Sequence, residues 1–192
     1  MTLSCDMLVF GGSGDLALHK LLPALYHLHR DGRLAADMRI IAVARSPLQR
    51  SQYQALAERH CRAQVARADF TSDSWQGFAE RLDYLAMDAA QSAEYGRLAR
   101  LLGNPAGRLR IFYLATAPAL FAAIAEHLAT AGLADARRAL FLHPLRFVGR
   151  RQARGCPDAQ DGNDLAYQFR LFPGHDGVAA GVAGHSRVHI LV

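Results

Sequence analysis

The sequence predicts an α/β fold, a doubly wound parallel sheet followed by an irregular C-terminal tail. Three observations carry this expectation. Short apolar runs rich in branched residues alternate with segments of helical period over residues 5–143, and such alternation builds βαβ units whose parallel sheet is covered on both faces. A glycine cluster stands directly after the first run, where a strand would turn into a helix. No segment repeats another, so a single sheet closed by right-handed crossovers is the expected topology.

Taken in order, CDMLVF (residues 5–10) is the first β-like run and ends at Gly11. In DLALHKLLPALYHLHRDG, Leu18, Leu21, Leu22, Leu25 and Leu28 fall at helical spacing, and Gly32 fits the position that ends such a helix. Pro23 interrupts this pattern, because a mid-helix proline loses a hydrogen bond and crowds the turn before it. The expectation is a tight turn over residues 15–20 and a regular helix from near Pro23, where a first-turn proline is tolerated. RIIAVA (39–44) reads as a buried strand, and a long helix follows over about 49–68. The amphipathic piece SWQGFAERL leads into a short strand, YLAMD, and the helical SAEYGRLARLL stops at Gly103. RLRIFYLAT (108–116) is a fourth strand, PALFAAIAEHLATAGL a helix from Pro118 to Gly132, and RRALFLH (137–143) a fifth strand.

From about residue 145 the texture changes. The stretch to residue 192 holds seven glycines, no lysine and no glutamate, and keeps no period. The expected organisation is a dinucleotide-binding domain over residues 1–144 and a disordered tail over 145–192.

Composition narrows the function classes. The chain is 51% hydrophobic and 20% charged, as globular proteins are. No apolar run approaches the roughly 18 residues of a membrane span, so no membrane partner is expected. The start has no basic region, and Asp6 breaks its apolar run, which argues against a secretory signal. Cys5, Cys61 and Cys156 are odd in number and form no C-x-x-C pair, so neither a disulfide framework nor a zinc site follows, and a cytoplasmic location is expected. The net charge of +5 raises the question of nucleic acid, but the arginines scatter from Arg30 to Arg187 without a basic block. A solvated basic surface is the expectation, not a nucleic-acid partner.

The glycine turn carries the functional signal. Gly12-Ser13-Gly14-Asp15-Leu16-Ala17 matches G-x-G-x-x-A, and Gly11 offers a second register, G-x-x-G-x-x-A. Glycine permits the positive φ of a sharp turn, here expected at Gly14, and lets a pyrophosphate approach bare backbone. The helix start beyond it supplies unpaired N–H groups and a partial positive charge. Ala17 is small enough for close packing of helix on strand. Gly11, Gly12, Ser13, Gly14, Asp15 and Leu16 are therefore candidate cofactor-binding residues. An ordinary glycine-rich turn is the alternative.

Cofactor choice is read at the end of the second strand, where a carboxylate holds the ribose of NAD and arginine accommodates the 2′-phosphate of NADP. That strand ends AVARSPLQR, giving Arg45, Ser46 and Arg50 and no acid. Arg45 and Ser46 hold the favoured position, and NADP is the expected cofactor. At the end of the fourth strand, Ala115, Thr116 and Pro118 should floor the nicotinamide side, while Pro118 also suits a helix start.

These residues resemble a known family. GGSGDLALHKLLPALYHL is similar to the N-terminal fingerprint of the glucose-6-phosphate 1-dehydrogenases, G-x-x-G-D-L-A followed by a basic pair and L-x-P-A-L. IIAVARS and IFYLATAP resemble the family's second and fourth strands, and DYLAMD its third, so the resemblance covers roughly residues 5–133. It implies a Rossmann-like domain and oxidation of glucose 6-phosphate at C1, with hydride passing to NADP and 6-phosphogluconolactone as product. It also implies that Lys20, the single lysine beside 21 arginines, contacts the sugar phosphate, with His19 where the family has arginine.

The resemblance stops short of a complete site. Where the family has E-K-P the chain reads His143-Pro144, and nothing before residue 192 matches R-I-D-H-Y-L-G-K-E, the segment that holds the family's catalytic histidine. His175, His185 and His189 lie in unrelated glycine-rich contexts, so no catalytic residue is assigned. A frameshifted or truncated coding sequence after about residue 134, inactive as it stands and without the family's dimer interface, is the expectation. A non-catalytic NADP-binding or interaction module is the alternative. A reductase of the Tyr-x-x-x-Lys kind is excluded, because Lys20 cannot form that pair.

Overall fold

The computed structural model describes residues 4–103 and 108–134, together with the backbone of 139–142. The expected tail at 145–192, His143 and Pro144 lie outside the described residues.

Five strands, β1 (Ser4–Phe10), β2 (Arg39–Ala44), β3 (Leu82–Ala86), β4 (Arg108–Leu114) and β5 (Ala139–Leu142), form one parallel sheet in the order β3-β2-β1-β4-β5. The doubly wound expectation holds, with the strand order reversing at β1. Leu8 lies in register with Ile41 on one side and Phe112 on the other.

Side-chain alternation divides the core in two. Cys5, Met7 and Val9 of β1, with Ile40 and Ala42 of β2, face α1 (Leu22–Arg30), α2 (Arg50–Gln64) and α3 (Ser72–Ala79). Leu8, Phe10, Ile41 and Val43 face α4 (Tyr95–Leu102) and α5 (Phe121–Thr130). Because both faces of β1 and β2 are covered, these strands read as continuous apolar runs rather than as alternating ones.

Several boundaries differ from expectation. The tight turn anticipated at 15–20 is helical: Ala17–Leu21 forms a π-turn, in which the Leu22 amide bonds the Ala17 carbonyl five residues back. Pro23 follows in the first turn of α1. The wider turn removes the clash that proline makes with a carbonyl four residues earlier, so the helix survives it. The second helix stops at Gln64 rather than near 68, because Val65 turns extended and buries its side chain, and a 3-10 turn at Arg67–Asp69 follows. The third begins at Ser72, two residues early, where the Thr71 hydroxyl accepts the Ser74 amide. The strand YLAMD starts at Leu82 and ends at Ala86, which leaves Met87 and Asp88 in the loop beyond it. Pro118–Leu120 is a 3-10 turn, and α5 itself begins at Phe121.

At the amino end of the strands a charge network closes the sheet. Asp6 is fully buried, with Arg39 of β2 and Arg110 of β4 as its register neighbours. Arg39 donates to both Asp6 carboxylate oxygens, at 2.8 and 2.9 Å, and Arg108 Nε adds a third bond at 3.0 Å. Arg39 also reaches the Leu102 carbonyl at 3.2 Å, and Arg110 reaches the carbonyls of Gly103 and Leu133. Guanidinium groups thus meet the carbonyl end of α4, where the helix dipole favours cations, and the loop after α5.

Candidate functional site

A cleft of about 750 Å³ opens at the carboxyl ends of the strands, above the point where the strand order reverses. That is where doubly wound sheets bind their ligands. Its wall includes Gly11, Ser13 and Gly14 after β1, Arg45 and Ser46 after β2, and Ala115 and Thr116 after β4. The sequence brought these seven forward from three separate segments, and the fold places them around one opening.

The glycines divide the work differently from expectation. Positive φ belongs to Gly11 (+81°), not to Gly14. A Cβ on Gly11 would stand 2.5 Å from the Ala115 carbonyl oxygen, so this glycine makes the sharp turn against β4. Gly12 is buried and touches β2: a Cβ there would lie 2.6 Å from the Ala42 Cβ. At Gly14 a Cβ would meet the Gly11 oxygen alone, at 3.1 Å, so its bare face gives onto the cleft. The Gly14 amide bonds the Gly11 carbonyl at 2.9 Å, and the first helical bond runs from the Leu18 amide to the Gly14 carbonyl at 3.0 Å. The amides between them have no carbonyl one turn earlier, which makes this an anion-accepting end.

The turn is held from below by two tyrosines. The Tyr53 hydroxyl donates to the Gly12 carbonyl at 2.9 Å, and the Tyr84 hydroxyl donates to the Ser46 carbonyl at 2.6 Å. Their rings stack with centroids 4.7 Å apart. Burial pushes the Tyr53 phenol far above its ordinary value, so it stays protonated and donates at any working pH.

Other expected site residues stand off the cleft wall. Asp15 is fully exposed on the first helical turn, and Leu16 is partly buried against the α1–α3 side of the core. Pro118 is exposed at the start of its 3-10 turn. Lys20 is exposed on the π-turn, and makes no ion pair among the described residues. His19 before it is tied to α2, its Nε2 lying 2.9 Å from Nδ1 of His60 and its Nδ1 lying 3.7 Å from Asp15. Arg50 is committed elsewhere: its guanidinium donates to the carbonyls of Leu82 and Glu80, at 2.9 and 2.8 Å. That leaves Arg45 as the arginine of this segment on the cleft.

The loop after β3 was missed. Met87, Asp88, Ala89 and Ala90 line the cleft, and Leu120 joins them from the far side. The available signal was the rule that ligands cross the ends of all neighbouring strands, applied to the residues after YLA. Asp88 accepts the Ala90 amide at 3.0 Å, so its carboxylate shapes its own loop.

Two observations fit a dinucleotide to this site. One is the glycine face at Gly14, which a Cβ would fill. The other is Thr116 Oγ1, a buried oxygen on the cleft wall with no hydrogen-bond partner. A hydroxyl without a partner is costly in a folded protein unless a ligand or water completes it.

Comparison with known proteins agrees with this geometry. Residues 8–144 match the family model described as "Glucose-6-phosphate dehydrogenase, NAD binding domain". A glucose-6-phosphate 1-dehydrogenase of Mycolicibacterium smegmatis is 40% identical over 133 residues, 67% of this chain and 27% of that protein. One from Rhizobium meliloti is 38% identical over 121 residues, 63% of this chain and 25% of its own. The crystal structure of glucose-6-phosphate 1-dehydrogenase from Mycobacterium avium superposes with a TM-score of 0.68 at 31% identity, over 77% of this chain and 31% of that one. The chain spans about a quarter of the length of the curated relatives it matches. The match covers every strand of the sheet from Leu8 onward, and on that ground the chain belongs to the glucose-6-phosphate dehydrogenase family, through its NAD-binding domain.

Proposed function

We propose that residues 1–144 form a domain that binds NADP across the carboxyl ends of the strands. The observation that carries this reading is the end of β2, where Arg45 and Ser46 line the cleft and no carboxylate does. The acid on the wall, Asp88, follows β3 instead and accepts a bond from its own loop. Gly11, Gly12, Ser13, Gly14, Asp15 and Leu16 would hold the pyrophosphate on backbone amides, Arg45 and Ser46 the 2′-phosphate, and Ala115, Thr116 and Pro118 the nicotinamide side. NADP bound there would supply the hydride acceptor. The 145–192 stretch is read as outside this unit.

By resemblance to its relatives, the reaction this domain serves is oxidation of glucose 6-phosphate to the lactone, with Lys20 reaching the sugar phosphate. A compact ammonium suits that task, whereas a planar guanidinium would demand a fixed approach. Removing the C1 hydroxyl proton also needs a base within hydrogen-bond reach. Among the described residues no histidine lines the cleft, so the 192 residues alone are expected to bind cofactor without turning over the sugar.

Titration of the purified chain with NADP and NAD tests the reading. NADP should bind more tightly, and Arg45→Asp should weaken NADP by about 1–3 kcal/mol, the scale of a lost charged hydrogen bond. Equal curves for the two cofactors in the unmutated chain would overturn it. Under saturating NADP and glucose 6-phosphate, NADPH absorbance should stay flat.

A further inference from the structure

We infer that Tyr84 is a positioning residue for cofactor choice, because its hydroxyl anchors the loop that presents Arg45 while its ring stacks on Tyr53 beneath the glycine turn. The inference rests on the proposed NADP reading and adds to it a residue of the third strand that was not among the candidate site residues. Tyr84 lies on β3 and is buried, beneath both loops rather than in either.

The hydroxyl reaches backbone on both sides of Arg45. Tyr84 donates to the Ser46 carbonyl at 2.6 Å, and the Ala44 carbonyl lies 3.4 Å from the same oxygen. Above it, Ser13 Oγ lies 3.3 Å from Ser46 Oγ, a pair in which either hydroxyl can donate.

Two consequences follow. First, the Ser46 carbonyl accepts from both Tyr84 and the Leu48 amide, the latter at 2.8 Å, so the peptide following Ser46 is fixed at two points just beyond Arg45. Arg45 is exposed and makes no ion pair among the described residues, so this backbone anchor is what aims its guanidinium. Second, the Ser46 hydroxyl can turn its hydrogen toward an incoming phosphate and still accept from Ser13, because either partner can donate in their pair. The pair therefore supplies a donor at the 2′-phosphate end, joined to the pyrophosphate turn through Ser13. A ligand without that phosphate makes no use of this part of the site.

Tyr84→Phe removes the hydroxyl and keeps the ring that stacks on Tyr53. In calorimetric titrations of the full 192-residue chain, NADP and 2′,5′-ADP should bind about 5- to 10-fold more weakly to the variant, within the range of one lost hydrogen bond. NAD should change by less than about twofold on the same reasoning. Without ligand, amide exchange should quicken at residues 45–48 and stay unchanged in β1 and β4. Tyr53→Phe, which frees the Gly12 carbonyl, should instead weaken NADP and NAD together. Equal weakening of NADP and NAD by Tyr84→Phe would make the residue merely structural, and unchanged binding and exchange would remove it from the site; either result overturns the inference. If the unmutated chain binds neither NADP nor NAD, the cofactor reading itself fails, and the inference with it.

Discussion

At the amino end of the sheet, Asp6 sits fully buried between arginines on two neighbouring strands, and among the described residues its carboxylate accepts from guanidinium groups alone. At the carboxyl end, some five residues further along the same strands, Arg45 and Asp88 border an open cleft and make no ion pair among the described residues. One end uses charge to fasten the strands to the carbonyl end of α4 and the loop after α5, and the other keeps charge available. The division follows from parallel strands: all helix carbonyl ends fall at one edge of the sheet and all strand-to-helix turns at the other. Substitutions at the first edge should therefore be felt as stability, and at the second as binding.

The largest effect should come from Asp6→Ala. Removing one member of a buried ion pair costs about 3–5 kcal/mol. Arg110 stays buried without a counter-charge, but the Arg39 and Arg108 side chains, 42% and 22% exposed, are partly relieved by water, so the loss should fall at the lower end of that range. Urea unfolding should show this loss, and a change below about 1 kcal/mol would place the network on the solvated side of the balance. A pH dependence follows from the same carboxyl. Burial by itself would raise its pKa, but the hydrogen bonds from Arg39 and Arg108 outweigh burial and hold it below the ordinary carboxylate value. A group lowered on folding stabilises the protein above its unfolded pKa of about 3.9 and loses that contribution as pH falls through the folded value. Acid unfolding should accordingly be less steep in Asp6→Asn than in the unmutated chain.

The glycine turn lies at the other edge and tests the comparison within three residues. Gly12→Ala would drive a Cβ to 2.6 Å from the Ala42 Cβ and 3.0 Å from its Cα, where backbone cannot give way. Overpacking of this kind costs about 1–3 kcal/mol of stability. Gly14→Val should leave the fold intact by far-UV circular dichroism, since no positive φ is required there, and should abolish NADP binding by filling the phosphate face. A folded Gly14→Val variant that still binds NADP would reduce the turn to a structural element. The contrast between Gly12 and Gly14 separates packing from binding more sharply than either variant alone.

Much of this was legible in the sequence, for physical reasons that differ by segment. RIIAVA gave its strand without error because both faces are buried and the run is uniformly apolar. The cleft residues after β1 and β2 were legible because glycine and arginine carry backbone or charge signatures, and Ala115 and Thr116 because ligands cross the ends of neighbouring strands. Position 14 was misread: the pattern G-x-G marks a turn, but which glycine takes positive φ depends on how close β4 comes, and Gly11 meets it. The π-turn before Pro23 was reached only halfway, since periodicity shows that a helix adjusts there and not how. Tyr84 and Asp6 were invisible as partners, because each acts on residues more than 30 positions away, Tyr84 through a carbonyl that no sequence pattern marks.

The smallest effect separates two arginines that the sequence offered side by side. Arg45 borders the cleft, whereas Arg50 spends its guanidinium on the carbonyls of Leu82 and Glu80, closing the turn between α3 and β3. Arg50→Ala removes those two bonds from a largely exposed side chain, and water can take over part of what is lost, so the expected cost is about 1 kcal/mol of stability. The ratio of NADP to NAD affinity should not move, because no atom of Arg50 lines the cleft. Arg45→Ala should do the reverse, lowering the ratio while leaving the unfolding midpoint within the scatter of a surface substitution, about 0.5 kcal/mol. Measuring both quantities on both variants gives four numbers with opposite expectations along each row. A drop in the cofactor ratio with Arg50→Ala would mean that the β2–α2 loop is set by its connection to β3, and that the edge of the sheet, not the single side chain, selects the phosphate.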